Sequence, residues 1–193
     1  MIEHKFPYES FIGGWYIKPN ICDDLTKLFN DNEQSINPGL QLLDGNLSTI
    51  KDHKDSMDFT IDPNYMGDCV GDYRKALQEV LEKYILKYPD SGTNNYFNIT
   101  EDYNIQYYKP GGGFYKWHCE RANLKTSHRL LVFMTYLNDV DDGGTYFKNQ
   151  NLLVPAKKGL TLIWPTDWTH IHKGQISNTK EKYITTGWFS FYE

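Results

Sequence analysis

The chain has 193 residues, enough for one domain with a sizeable core. Hydrophobic residues make up 39% and aromatic residues 16%, with 15 tyrosines and 5 tryptophans, a balance that favours strands. A net charge of -5 leaves no basic footprint for nucleic acid, and no apolar run is long enough to cross a bilayer.

The first residues, "MIEHKFPYES", contain no apolar signal core, which leads us to expect a soluble cytoplasmic protein. Cys22, Cys69 and Cys119 are odd in number and widely spaced. That excludes a CxxC-type zinc site and predicts no disulfide framework. "FIGGWYI" reads as a strand. "NICDDLTKLFND" reads as a short helix with Asn20 as N-cap and Asp23 and Asp24 in its first turn. Residues 44–63 are polar and read as a loop or an irregular hairpin. Val70, Tyr73, Leu77, Val80, Leu81, Tyr84 and Ile85 then form an apolar stripe at helical spacing, ending near Pro89. That stripe predicts core packing.

After residue 100 short strand-like runs alternate with turn residues: "YNIQYY", "KPGGG", "FYKWHCE", "RLLVFMTYL", "NDVDDGG", "NLLVP", "GLTLIWP", "WTHIHKG" and "KYITTGWFSFY". Many short strands with no helix between them predict an antiparallel sandwich or barrel. The expected fold is mostly β with flanking helices (α+β). Residues 101–193 would form a jelly-roll core, a double-stranded β-helix. Residues 1–100 would form a helical, mixed support packed outside it, within a single domain over 1–193.

The run "FYKWHCE" raises the question of a metal. Six histidines and 25 acidic residues give about 0.8 H-x-[DE] triplets by chance, so spacing alone is weak. A second such triplet, His53-Lys54-Asp55, lies in a charged stretch without strand pattern and reads as surface. In an extended segment His118 and Glu120 point to one face and Cys119 to the other. A histidine from another strand would complete two imidazoles and a carboxylate, a facial set suited to ferrous iron in oxygenases. His170 and His172 both qualify, and spacing does not choose between them. The alternative for each histidine is a hydrogen-bonded core residue.

From Tyr103 to Trp188 the chain resembles the iron(II)- and 2-oxoglutarate-dependent dioxygenases, in particular the prolyl 4-hydroxylase-like branch. The likeness rests on four blocks in order: "YYKPGGGFYKWHCE", "RLLVFMTYLNDVDDGGTYF", "KKGLTLIWPTDWTHIHKG" and "KYITTGWFSF". The resemblance implies His118 and Glu120 as the proximal ligands and His172 as the distal one, because Lys182 follows His172 by ten residues and Tyr183 comes next. His170 is then the reserve ligand or a neighbour of the site. Lys182 would pair with the C5 carboxylate of 2-oxoglutarate. Tyr108, or alternatively Tyr107, would hydrogen-bond that cosubstrate. Trp188 would stand near the substrate or simply pack. No catalytic residue beyond the metal ligands is implied.

The chain also departs from the family pattern. Glu120 stands where aspartate is commoner, and its extra methylene carries the carboxylate further from the backbone. The glycine motif reads Gly143-Gly144-Thr145-Tyr146-Phe147, one residue short. Val132 stands where prolyl hydroxylases often carry threonine. "RANLKTSH" would form part of the pocket rim or an ordinary solvated loop. The implied activity is hydroxylation of a prolyl or other side chain in a peptide or protein, with iron(II), 2-oxoglutarate and O2 and with ascorbate as reductant. The alternatives are the same chemistry on a small molecule or free amino acid, and a non-catalytic jelly-roll binding module.

Overall fold

The structure is a computed structural model and describes residues 1–43, 46–93 and 96–192; residues 44 and 45 of the polar stretch lie outside them. In chain order the N-terminal part comprises β1 (Ile2–Glu3), β2 (Gly13–Tyr16), α1 (Pro19–Asp31), β3 (Ile36–Pro38), β4 (Gln41–Leu43), β5 (Asn46–Ser48), β6 (Met57–Ile61) and α2 (Asp68–Lys87). The rest comprises β7 (Phe97–Asn98), β8 (Tyr103–Tyr108), β9 (Arg129–Tyr136), β10 (Val140–Phe147), β11 (Leu152–Ala156), β12 (Leu160–Pro165), β13 (His172–Gly174) and β14 (Lys182–Phe191).

Among the described residues a major antiparallel sheet runs β1-β2-β12-β9-β14-β8-β6-β3, with β7 added on β14. A minor sheet, β11-β10-β13, faces it. Strand β9 shows why the two layers form. Its Leu131 and Phe133 enter one apolar cluster, shared with α1 and α2. Its Val132, Met134 and Tyr136 enter the other, shared with Val140, Phe147 and Val154 of the minor sheet. The period-two alternation of "RLLVFMTYL" thus separates a helix-covered face from a jelly-roll interior.

The helices cover the outer face. Val70, Tyr73, Leu77, Val80, Leu81 and Tyr84 are buried, as the helical stripe predicts. A chain of buried hydroxyls ties α2 to the sheet: Tyr73 to Thr135 at 3.1 Å and Thr135 to Thr161 at 2.8 Å. Helix α1 begins earlier than expected. Pro19 takes the first helical position, where its fixed φ and missing N–H cost nothing, and Lys18 is the cap. Asn20 therefore lies inside the helix, and Asp23 and Asp24 fall beyond the first turn.

Several other expectations are corrected. Met57–Ile61 is not loop but a strand of the major sheet, pairing Asp58 with Gln106 and Thr60 with Asn104. "FYKWHCE" is not a strand: it makes only isolated bridges, at Phe114 and His118. "NDVDDGG" is not all turn, since β10 starts at Val140 and runs through both glycines with a bulge. Short 3-10 turns at Leu124–Thr126 and Trp168–His170 interrupt the β half.

Gly187, in mid-β14, lies against this outer core. A Cβ there would stand 2.5 Å from the Tyr103 Cβ and 2.6 Å from the Phe133 ring. Gly187→Ala should lower stability by about 1–3 kcal/mol through overpacking. The check is a lower denaturation midpoint with an unchanged m-value.

Candidate metal and cosubstrate site

A reciprocal backbone bridge brings the two distant histidines together. His118 N–H donates to the His172 carbonyl at 3.0 Å, and His172 N–H donates to the His118 carbonyl at 2.9 Å. His172 opens β13 on the minor sheet; the His118 segment is irregular and needs that bridge for its position. Two residues on, Glu120 N–H donates to the Thr166 carbonyl at 2.9 Å, just past the end of β12.

The side chains converge as a result. One ligand atom from each of His118, Glu120 and His172 lies within 4.8 Å of the others. His118 Nε2 is 3.2 Å and His172 Nε2 3.5 Å from Glu120 Oε1. The Nδ1 of His118 lies 3.0 Å from the Lys116 carbonyl, and that of His172 lies 2.9 Å from the His170 carbonyl. Carbonyls only accept, so each Nδ1 donates, and in the neutral form of each ring Nε2 carries the lone pair. Burial, then the positive charge of His118, lowers the pKa of His172 and favours that neutral form. Burial pulls the Glu120 carboxyl upward, but the hydrogen bonds and charges of His118 and His172 outweigh it and hold it well below the usual range. Two imidazole nitrogens and a carboxylate oxygen thus face one point. The donor set therefore fits iron(II), whose nitrogen and carboxylate preferences it meets.

His170 does not join this group. Its Nε2 reaches the Ser10 carbonyl at 2.9 Å and its Nδ1 the Thr169 hydroxyl at 2.8 Å, which pins the N-terminal segment to the turn. The 3-10 turn over 168–170 breaks the alternation that would have put both histidines on one face. Phe114 stacks on the His118 ring at 3.6 Å. Trp188 is in the site: its indole N–H donates to Glu120 Oε2 at 3.1 Å. Cys119 is half-buried beside Arg121, away from the three ligand atoms.

Lys182 opens β14 inside the same cleft and is 6% exposed. Its Nζ donates to the Gly143 carbonyl at 3.0 Å and the Gln175 carbonyl at 3.2 Å, and lies 5.2 Å from the Tyr108 ring centre. Among the described residues no carboxylate is within ion-pairing distance of it. Burial lowers its pKa to about 8, opposed only by the more distant charge of Asp142. A buried ammonium with carbonyl contacts but no counter-ion is a ready receptor for a carboxylate.

Tyr108, the cross-strand partner of Lys182, is buried in the cleft wall, and its hydroxyl donates to Gln106 Oε1 at 2.7 Å. Burial, then the charges of Asp58 and Glu120, raises its pKa, so it remains a donor. Tyr107 points to the opposite face, against Phe29 and Tyr183.

Sequence reasoning missed the network behind Tyr108. Gln106 Nε2 donates to Asp58 at 3.3 Å, and Asp58 pairs with Lys54 at 2.7 Å, both buried. The His53-Lys54-Asp55 triplet is therefore not surface, because Lys54 is a wall residue of the cleft. The one available signal was the alternation in "MDFTI", whose inward positions happen to be polar. The cleft encloses about 1170 Å³, and Ala122, Asn123 and Thr126 of "RANLKTSH" line its rim.

Residues 103–190 match the family model for the 2OG-Fe(II) oxygenase superfamily. No curated protein sequence matches the chain. Among solved structures it is similar to a prolyl-4-hydroxylase from Pseudomonas putida, with a TM-score of 0.70, 16% identity and coverage of 94% of this chain and 93% of that one. A viral collagen prolyl hydroxylase from Paramecium bursaria Chlorella virus-1, solved with 2OG, gives 0.65, 17%, 93% and 95% in the same order. A prolyl hydroxylase from Trichoplax adhaerens, solved with a hypoxia inducible factor peptide fragment, gives 0.72, 15%, 94% and 84%. At these identities the likeness shows the shared jelly-roll fold.

The isolated protein should carry a stability cost at Lys182. Its folded pKa of about 8 lies below the usual 10.5, so the folded state binds fewer protons than the unfolded state between those values. The penalty is full below pH 8 and fades as pH rises toward 10.5. Lys182→Met should therefore be more stable than the parent near pH 7, by up to roughly 3 kcal/mol. Unfolding curves at pH 7 and pH 9.5 check this: the gap between the two proteins should shrink at the higher pH. A wider gap would contradict an uncompensated charge.

Proposed function

We propose that this chain, whose residues 103–190 match the 2OG-Fe(II) oxygenase superfamily model, is a prolyl 4-hydroxylase-like oxygenase that hydroxylates a prolyl or other side chain in a peptide or protein. In the same reaction 2-oxoglutarate becomes succinate and CO2. One observation carries the reading: a cleft that holds a two-histidine, carboxylate triad also holds a buried lysine that has no carboxylate counter-ion among the described residues. A non-catalytic binding module has no need for both, and the lysine lowers its stability.

His118, Glu120 and His172 would hold the iron, and Lys182 would receive the C5 carboxylate of 2-oxoglutarate. Bound there together with O2, iron and cosubstrate supply the oxidising power for insertion of oxygen into a C–H bond. The chain's own residues supply position and dryness. Lys182 neutralises the cosubstrate's far end at a place where water is scarce, so the attraction is strong. Tyr108 flanks that lysine with an aromatic face and is held by Gln106. Tyr136, hydrogen-bonded to Thr145 at 2.6 Å, closes the inner wall between the sheets. His118 is fixed by the Phe114 stack and the Lys116 carbonyl, and needs no rearrangement to present Nε2. No side chain is required as general base, because the hydroxylated carbon loses a hydrogen rather than an acidic proton. Ascorbate would act as reductant.

The peptide substrate is favoured by analogy: the Trichoplax enzyme was solved with a peptide, and the viral enzyme is a collagen prolyl hydroxylase. Cys22, Cys69 and Cys119 form no disulfide, which suits a reducing compartment such as the cytoplasm. No helix among the described residues is long and apolar enough to cross a membrane.

Anaerobic titration of the protein with iron(II) and 2-oxoglutarate should produce a visible metal-to-ligand charge-transfer band. His172→Ala should abolish it and His170→Ala should keep it. Lys182→Met should weaken 2-oxoglutarate binding at least about tenfold, roughly 1.4 kcal/mol, while iron binding persists. Succinate release should then rise with proline-containing peptides over free amino acids. Absence of iron binding in the parent protein would refute the oxygenase reading. Turnover only with free amino acids would keep the chemistry and overturn the peptide assignment.

A further inference from the structure

Glu120 uses its two carboxylate oxygens differently. Oε1 faces both imidazoles, at 3.2 and 3.5 Å, and Oε2 turns away to the Trp188 indole N–H at 3.1 Å. The indole is itself held from above. The Arg129 guanidinium lies 3.4 Å over its ring. Arg129 is locked in turn by a fork onto Glu101, with contacts of 2.7 to 3.2 Å, and Glu101 also accepts from Ser190 at 3.0 Å. The order outward from the ligand is therefore Glu120, Trp188, Arg129, Glu101, and each member is held by the next.

We propose that Trp188 is a positioning residue whose indole N–H, clamped by Arg129 and Glu101, holds the outer oxygen of Glu120 so that the other oxygen alone is presented to the metal. The inference rests on the metal reading given above. It explains how this chain uses glutamate at the proximal carboxylate position. A glutamate has one more rotatable bond than an aspartate, and its carboxylate can swing or turn both oxygens inward. A donor on the outer oxygen removes that freedom. The guanidinium above the ring face adds to the effect: a cation on the π face polarises the indole and makes its N–H a better donor to a carboxylate. Arg129 also sits 3.8 Å from Oε2 and donates to the Glu120 backbone carbonyl at 3.3 Å, so the same side chain restrains both ends of the residue.

Shortening Glu120 to aspartate withdraws the carboxylate by about 1.5 Å, one carbon–carbon bond. It then no longer reaches both the imidazole nitrogens and the indole. Glu120→Asp should thus weaken the site although aspartate is commoner at the matching family position.

The test uses metal alone. Iron(II) affinity is measured anaerobically by competition with a chromophoric chelator, and cobalt(II) absorption reports the ligand geometry. Trp188→Phe keeps the ring under Arg129 and removes only the N–H. It should bind iron(II) about tenfold more weakly and give an altered cobalt spectrum, at an unchanged circular dichroism signal. Glu120→Asp should weaken binding at least as much. The double variant should be no weaker than Glu120→Asp alone, because the two changes break one interaction. A folded Trp188→Phe with the parent affinity and spectrum would overturn the brace, as would additive losses in the double variant. Should Trp188→Phe fail to fold, Glu120→Asp decides by itself, and parental affinity there overturns the proposal. Failure of the parent chain to bind either metal would overturn the brace and the oxygenase reading together, whereas parental binding with unaffected variants removes the brace alone.

Discussion

The site depends on a pair of main-chain hydrogen bonds. His118 and His172 are far apart in sequence, and only one of them belongs to a strand. Their N–H groups and carbonyls bond reciprocally at 3.0 and 2.9 Å, which places the two rings side by side with centroids 4.3 Å apart. Each ring is then turned by a carbonyl on its Nδ1, from Lys116 and His170. Side-chain rotamers therefore have little left to decide. The minor sheet exists at this end largely to carry His172, which pairs with Phe147 on β10. The cavity between the sheets follows from that pairing.

Two charged features distinguish the cleft from an ordinary core. Among the described residues Lys182 is buried without a carboxylate partner, and two imidazoles crowd the half-buried Glu120 carboxylate. In an ordinary core both arrangements would be replaced by apolar groups at a gain in stability. On the proposed reading each would face a charge of opposite sign: a cation at the triad and a carboxylate at the lysine. Polar wall residues, by contrast, are satisfied internally. Lys54 pairs with Asp58, Asp58 with Gln106 and Gln106 with Tyr108, so that wall is rigid before any ligand arrives.

Much of this was legible in the sequence because burial on two sides imposes period-two alternation. "RLLVFMTYL" sends alternate residues to two separate cores, and "KYITTGWFSF" runs beside it as β14. The triad and Lys182 could be named from the order of four blocks, since their spacing reflects strand lengths. What was not legible depends on non-local pairing. His118 and Glu120 share a face although their segment is no strand, because single bridges to His172 and Thr166 impose the extended path from outside. His170 and His172 alternate in sequence like strand neighbours, yet a 3-10 turn parts them. The buried Lys54–Asp58 pair looked like a solvated charge run, since nothing in composition tells a surface lysine from one buried against a partner four residues on. Trp188 could be placed near the site, but its partner could not be foreseen.

The unequal width of the two sheets sets what the cleft can admit. The minor sheet has three strands and covers the interior over β12, β9 and part of β14. On the major sheet the inward rows continue past that cover, from Thr186 to Asn104 and Thr60, and from Gln106 to Asp58 and Asn37. Apolar residues fill these rows where the minor sheet lies above them, as at Met134 and Leu162. Polar residues take over where it does not. Thr60 and Asn37 are exposed, and both line the cleft. A strand pair facing water on its inner side would otherwise invite apolar collapse or edge pairing, and polar side chains prevent both. The same exposure leaves a hydrogen-bonding shelf leading away from the triad. On the proposed reading, a reactant held beside the triad could extend along β8 and β6 without displacing core residues. That geometry accommodates a chain-like substrate anchored at one point better than a small molecule enclosed on all sides.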